Sequence, residues 1–126
     1  MRILDLPLKA VWYLMIENGE KPEEYREIKE HWIRRLVWIH DYIDDPCVFS
    51  EFVNELREPF GYTREELFKE YCAEFAYYSH VRFRYGYTKR TMLFKLDNIS
   101  IGKGNPNWGA PEHEVFILKL GEKIDE

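Results

Sequence analysis

The sequence lacks most of the features that announce a chemistry. Its two cysteines, Cys47 and Cys72, form no C-x-x-C pair, which excludes a zinc ribbon and a thioredoxin-like redox site. The expectation for both is a reduced thiol on the apolar face of a helix. No apolar run approaches the ~18 residues of a transmembrane helix. The opening MRILDLPLKA has no long apolar core of a secretory signal. A cytoplasmic protein with no membrane partner is expected. The motifs H-E-x-x-H, G-x-S-x-G and G-x-x-x-x-G-K-[ST] are all absent, which argues against a zincin, a hydrolase elbow and a P-loop. The histidines, His31, His40, His80 and His113, show no ligand spacing, so neither a metal nor a cofactor is expected. Basic residues are outnumbered, 18 against 23 acidic, for a net charge of −5. That excludes a globally basic nucleic-acid binder but not a local basic patch.

What is present is a chain of 126 residues, 45% apolar and 17% aromatic. That is enough for one core without staples, and a single domain over 1–126 is expected. Arg2 to Leu6 alternates as a short strand, which Pro7 ends. Lys9 to Asn18 reads as a strongly apolar helix, and Gly19 sits where a left-handed stop belongs. In GEKPEEYREIK, Pro22 blocks a helix and residues 24–28 read as extended. His31 to His40 reads as a second helix on Trp32, Ile33, Leu36, Val37 and Ile39. Two amphipathic helices follow within 41–77. The first stops before Pro59. The second starts at Thr63, whose partner Glu66 completes a capping box, and carries an apolar stripe from Leu67 through Phe75 and Ala76. From Tyr78 the pattern becomes strands: Tyr78 to Arg84, Thr91 to Ile101, and Val115 to Leu120 after the loop GKGNPNWGAP. Gly121 to Glu126 reads as a trailing end. The class is therefore α+β.

Charge is unevenly distributed. Residues 41–77 hold ten acidic and three basic residues, a net of −7, whereas residues 78–103 hold six basic and one acidic, a net of +5. Within the latter, Arg82 and Arg84 share one strand face and suit phosphates, and Tyr85 and Tyr87 are candidates for base stacking. The competing reading is a solvated strand face with tyrosines over the sheet end. Trp108, in NPNWGAP, either stacks on a ligand or plugs the sheet, and packing is the simpler reading. The acidic helices 41–77 are read first as packing, and second as a lid or a contact surface.

The densest cluster is Gly19-x-Lys21-x-x-Glu24-x-Arg26. Extended backbone puts Glu24 and Arg26 on one face, with Lys21 arriving from the preceding loop. Lys21 and Arg26 suit a phosphate or a polarised carbonyl. Glu24 can orient Lys21, accept a proton or receive a base amine. The alternative is an Arg26–Glu24 pair that merely fixes a loop, but an exposed pair contributes only ~0–1 kcal/mol. The pattern resembles the G-x-K-x-x-E-x-R signature of the ASCH family, a branch of the PUA-like superfamily. The opening ILDLPLKAVWYLMIENGEK, YREIKEHWIRRL, VRFRYGY and the closing WGAP and FILKLG resemble small bacterial and phage members. Residues 41–77 are longer and more acidic than the usual connection.

The resemblance implies a PUA-like small β-barrel flanked by helices, with 41–77 as an inserted helical pair and a cleft beside the motif. It further implies an RNA-associated module that takes single-stranded RNA or a nucleoside or nucleotide. Lys21, Glu24 and Arg26 would be at the centre, and Arg82, Arg84, Tyr85, Tyr87 and Trp108 would extend the cleft. One branch of the family removes an acyl group from a modified cytidine with a threonine nucleophile. This chain has Glu24 at that position, which argues against the same covalent route. Two alternatives stand beside binding. One is a nucleoside amidohydrolase or ribonuclease-like hydrolase with Glu24 as general acid/base, Lys21 stabilising and Arg26 clamping. The other is a protein-interaction module using the acidic helices.

Overall fold

Strand and helix alternate along the first forty residues, and the reasons are local. In a computed structural model, which describes residues 1–40 and 45–126, the chain forms α+β structure with four α-helices among the described residues. Two compact units result: residues 1–26 with 77–126, and residues 27–76. Residues 41–44, at the start of the expected helical insertion, lie outside the described residues.

The first unit is built on a curled five-stranded sheet. Its strands are β1 (Ile3–Leu8), β2 (Glu23–Arg26), β5 (His80–Tyr85), β6 (Thr91–Gly102) and β7 (Val115–Ile124), in the order β1-β5-β6-β7-β2. β1 runs parallel to β5, and the remaining pairs are antiparallel. Period-two alternation is plain in β1, where Leu4, Leu6 and Leu8 are buried, and in β5, where Val81 and Phe83 are. Phe116 and Leu118 of β7 complete this core.

β1 does not end at Pro7; it continues to Leu8. Proline is tolerated because β1 is an edge strand, where a missing N–H breaks no ladder. β7 likewise runs past the expected end at Leu120 to Ile124, which pairs with Leu93. The register shifts around Leu96, and Gly121 lies against the Asp97 carboxylate, where a Cβ would collide. The glycine therefore permits continuation rather than marking an end.

Helix α1 (Ala10–Glu17) ends as expected, with Gly19 at φ +87°. The Glu20 and Lys21 amides both donate to the Met15 carbonyl, at 2.9 and 3.1 Å, folding the chain back towards the helix.

The second unit holds helices α2 (Glu30–Leu36), α3 (Pro46–Arg57) and α4 (Arg64–Glu70) and a two-stranded ribbon, β3 (Val37–Ile39) with β4 (Ala73–Phe75). The helix expected over 31–40 stops at Leu36. Val37, Trp38 and Ile39 are β-branched or aromatic and fit a strand once a partner is available. The helix expected to carry its stripe to Ala76 stops at Glu70. Cys72 adopts φ +51°, a left-handed conformation that a helix cannot continue, and residues 73–75 pair with β3. The capping box is present: the Glu66 amide donates to Thr63 Oγ1 at 3.1 Å, and the Thr63 amide to Glu66 Oε1 at 3.2 Å. Phe52 is the centre of this unit's core, with the Phe68 and Tyr71 rings 6.1 and 5.1 Å away.

Both cysteines are exposed, contrary to the expectation of buried thiols. Cys47 opens α3 on its solvent side, and Cys72 sits in the turn after α4. No helix is long and apolar enough to cross a membrane among the described residues.

Candidate functional site

Lys21, Glu24 and Arg26 converge in the first unit. The turn at Gly19 brings Lys21 back under α1, and β2, paired to β7 through Glu24↔Leu118 and Arg26↔Phe116, fixes the other two. The Lys21 ammonium lies 3.0 Å from Glu24 Oε1, and the Arg26 guanidinium donates to Glu24 Oε2 at 2.6 Å. Lys21 is 2% exposed and Glu24 4%. This is a buried chain of three charges with a net of +1.

Lys21 is enclosed on every side. Its ammonium donates to the Trp108 carbonyl as well as to Glu24, and it lies 4.8 Å from the Trp12 ring centroid and 4.7 Å from that of Tyr25. Two aromatic faces around a desolvated cation are each a favourable electrostatic contact. The enclosure is itself held. The Tyr25 hydroxyl donates to Glu23 Oε1 at 2.6 Å and accepts from the Asn105 amide at 3.0 Å, pinning the loop after β6 to β2. Burial, and then the Glu23 carboxylate, push the Tyr25 phenol well above its ordinary pKa. Gly109, at φ +92°, lies against the Trp12 ring, where a Cβ would come within 2.7 Å. Gly104 lies as tightly against the Tyr25 ring.

Arg26 reaches across the sheet. Its guanidinium donates to the Tyr25 carbonyl at 2.8 Å and to the Pro7 carbonyl of β1 at 3.3 Å. β1 and β2 are the two edges of the sheet, so one side chain ties the edges of the half-barrel together. Of the three charged side chains, Arg26 is the one that retains some exposure, 15% against 1% and 5%.

The other expected residues are placed differently. Arg82 is ion-paired to Glu126 at 3.0 Å and Asp5 at 3.7 Å, and those carboxylates raise its pKa further. Arg84 donates to the Thr88 carbonyl within its own hairpin. Tyr85 packs edge-on against Tyr13, with ring centroids 5.2 Å apart, under the Arg90 guanidinium. Tyr87 is 99% exposed. The Trp108 indole packs against Tyr25, Ala110 and Val115, and the residue meets Lys21 through its carbonyl.

Sequence reasoning missed Trp12 and the Tyr13–Glu17–Arg90 cluster. Arg90 binds both Glu17 oxygens, at 2.8 and 3.1 Å, and covers the buried Tyr13 ring. The only signal for Trp12 was the glycine stop that returns the chain beneath it. No group of histidines, cysteines and carboxylates fit to hold a metal occurs among the described residues.

Compared with protein-family models, curated proteins and solved structures, the chain matches none of them.

Proposed function

We propose that the chain is a PUA-like, ASCH-type module that binds single-stranded RNA or a nucleotide at Arg26, the least buried end of the Lys21–Glu24–Arg26 chain. The observation that carries this reading is the buried Lys–Glu–Arg chain, net positive, whose least buried charge is the Arg26 guanidinium. Burying three charges is a poor way to gain stability, since well-packed apolar groups of similar size usually do as well or better. A phosphate offered to Arg26 meets a fork already oriented by Glu24 and the Tyr25 carbonyl. Binding is favoured over hydrolysis because both Glu24 oxygens hold a cation, Lys21 on one and Arg26 on the other, and the carboxylate is buried away from any substrate.

The test is a thermal-shift and calorimetric screen of nucleosides, nucleotides and short single-stranded RNAs against the wild type and Arg26→Ala. A ligand-dependent rise in the wild type that is lost in Arg26→Ala supports the reading. Affinity should also fall with salt, each phosphate contact adding roughly 0.7 to the logarithmic slope. A wild-type protein indifferent to every nucleotide and RNA overturns it. Bound substrate that turns over in the wild type but not in Glu24→Gln would favour the hydrolase instead.

A further inference from the structure

A groove of about 330 Å³ lies within the second unit, between α3 and α4. Val48, Leu67 and Tyr71 give it an apolar lining, and Glu51, Glu55 and Glu70 stand along it. Tyr62, from the turn between the helices, lines it too and is 58% exposed. In the same turn Phe60 is 96% exposed. An aromatic side chain left largely in solvent on the wall of a groove is what a protein-binding surface presents.

The electrostatics of the groove are one-sided. Glu55 accepts from the Tyr71 hydroxyl at 3.0 Å, but no cation pairs with Glu51 or Glu70 among the described residues. Tyr71 reports the result: burial, then Glu55, Glu51 and Glu70, push its phenol up to about 12. An apolar floor beside carboxylates is complementary to a long side chain with an aliphatic stem and a cationic head.

We infer that this groove docks an arginine- or lysine-bearing segment of a protein partner, with the stem on Val48 and Tyr62 and the head among Glu51, Glu55 and Glu70. A small free polyamine would satisfy the carboxylates but leave Tyr62 without a role, so a polypeptide is the better fit.

The test uses the full chain and a short fluorescent peptide that carries arginines between leucines, with a citrulline version as control. Polarisation should report binding of the arginine peptide only. Amide NMR shifts should cluster on α3, α4 and the turn between them. Glu51→Gln with Glu70→Gln should weaken binding roughly tenfold, and Tyr62→Ala should weaken it as well. Both changes are at exposed positions, and an unchanged thermal midpoint would show that the fold survives. Three results overturn the inference: no binding of the arginine peptide at millimolar concentration, equal affinity in the double variant, or spermine binding as tightly as the peptide with no dependence on Tyr62.

Discussion

The two units of this chain handle charge in opposite ways. In the sheet unit, Lys21, Glu24 and Arg26 are drawn inside and matched atom to atom, so that each Glu24 oxygen has a cationic partner. In the helical unit, Glu51, Glu55 and Glu70 stay in water beside an apolar groove with no cation against Glu51 or Glu70 among the described residues. A buried and satisfied charge fixes geometry, and removing one member strands the others. An exposed and unsatisfied charge does little for stability and remains available to a partner.

The sharpest way to break this contrast is to remove the middle of the buried chain. Glu24→Ala leaves Lys21 in a nearly solvent-free box with one carbonyl and two rings, and should cost about 3–5 kcal/mol in urea unfolding. Glu51→Gln, the corresponding change at an exposed carboxylate of the helical unit, should stay within about 0.5 kcal/mol of the wild type. Similar costs for the two would mean that the triad is solvated in solution and that the distinction fails.

A smaller effect tests the walls of the box rather than its charges. A methyl group at Gly104 would come within 2.5 Å of the Tyr25 ring and 2.7 Å of the Ala110 Cβ. Tyr25 cannot swing away without losing Glu23 and the Asn105 amide. Gly104→Ala should therefore cost about 1–3 kcal/mol by overpacking. It should also weaken any ligand held at Arg26, since the Tyr25 carbonyl helps to aim that guanidinium. Unchanged stability would show that the loop after β6 is not a fixed wall.

In the helical unit the comparable local device is the capping box. Thr63→Ala removes the hydroxyl that receives the Glu66 amide and should cost about 1 kcal/mol. This cap was legible in the sequence because both of its partners lie three residues apart. So was the stop at Gly19, and so was the alternation of His80 to Arg84. What escaped was set by partners distant along the chain. Val37 to Ile39 looks like more helix until Ala73 to Phe75 is beside it. Lys21, Glu24 and Arg26 could be grouped by spacing alone. That they are buried could not be read, because Lys21 is sealed by a carbonyl 87 positions away. The same holds for Arg82, which reads as an open phosphate ligand until Glu126, at the far end of the sequence, is placed against it.

The weakest effect at neutral pH separates the two units most cleanly in alkali. An unfolded tyrosine ionises near pH 10, whereas Tyr71 in the fold is pushed up to about 12, first by burial and then by Glu55. Between those two values the unfolded chain sheds its proton and the folded chain keeps it. The stability that Tyr71 contributes below pH 10 is therefore lost as the pH climbs through about 12. Tyrosinate absorbance should show late components, one of which Tyr71→Phe removes. Glu51→Gln with Glu70→Gln should move that component to lower pH, because two of the charges opposing the phenolate are gone. Tyr25 is also held up, but by burial and by Glu23 within the sheet unit, and its titration should not respond. If both phenols moved together, the carboxylates of the groove would be acting through the protein's overall charge rather than through the Tyr71 site, and the groove would lose its claim to a local field.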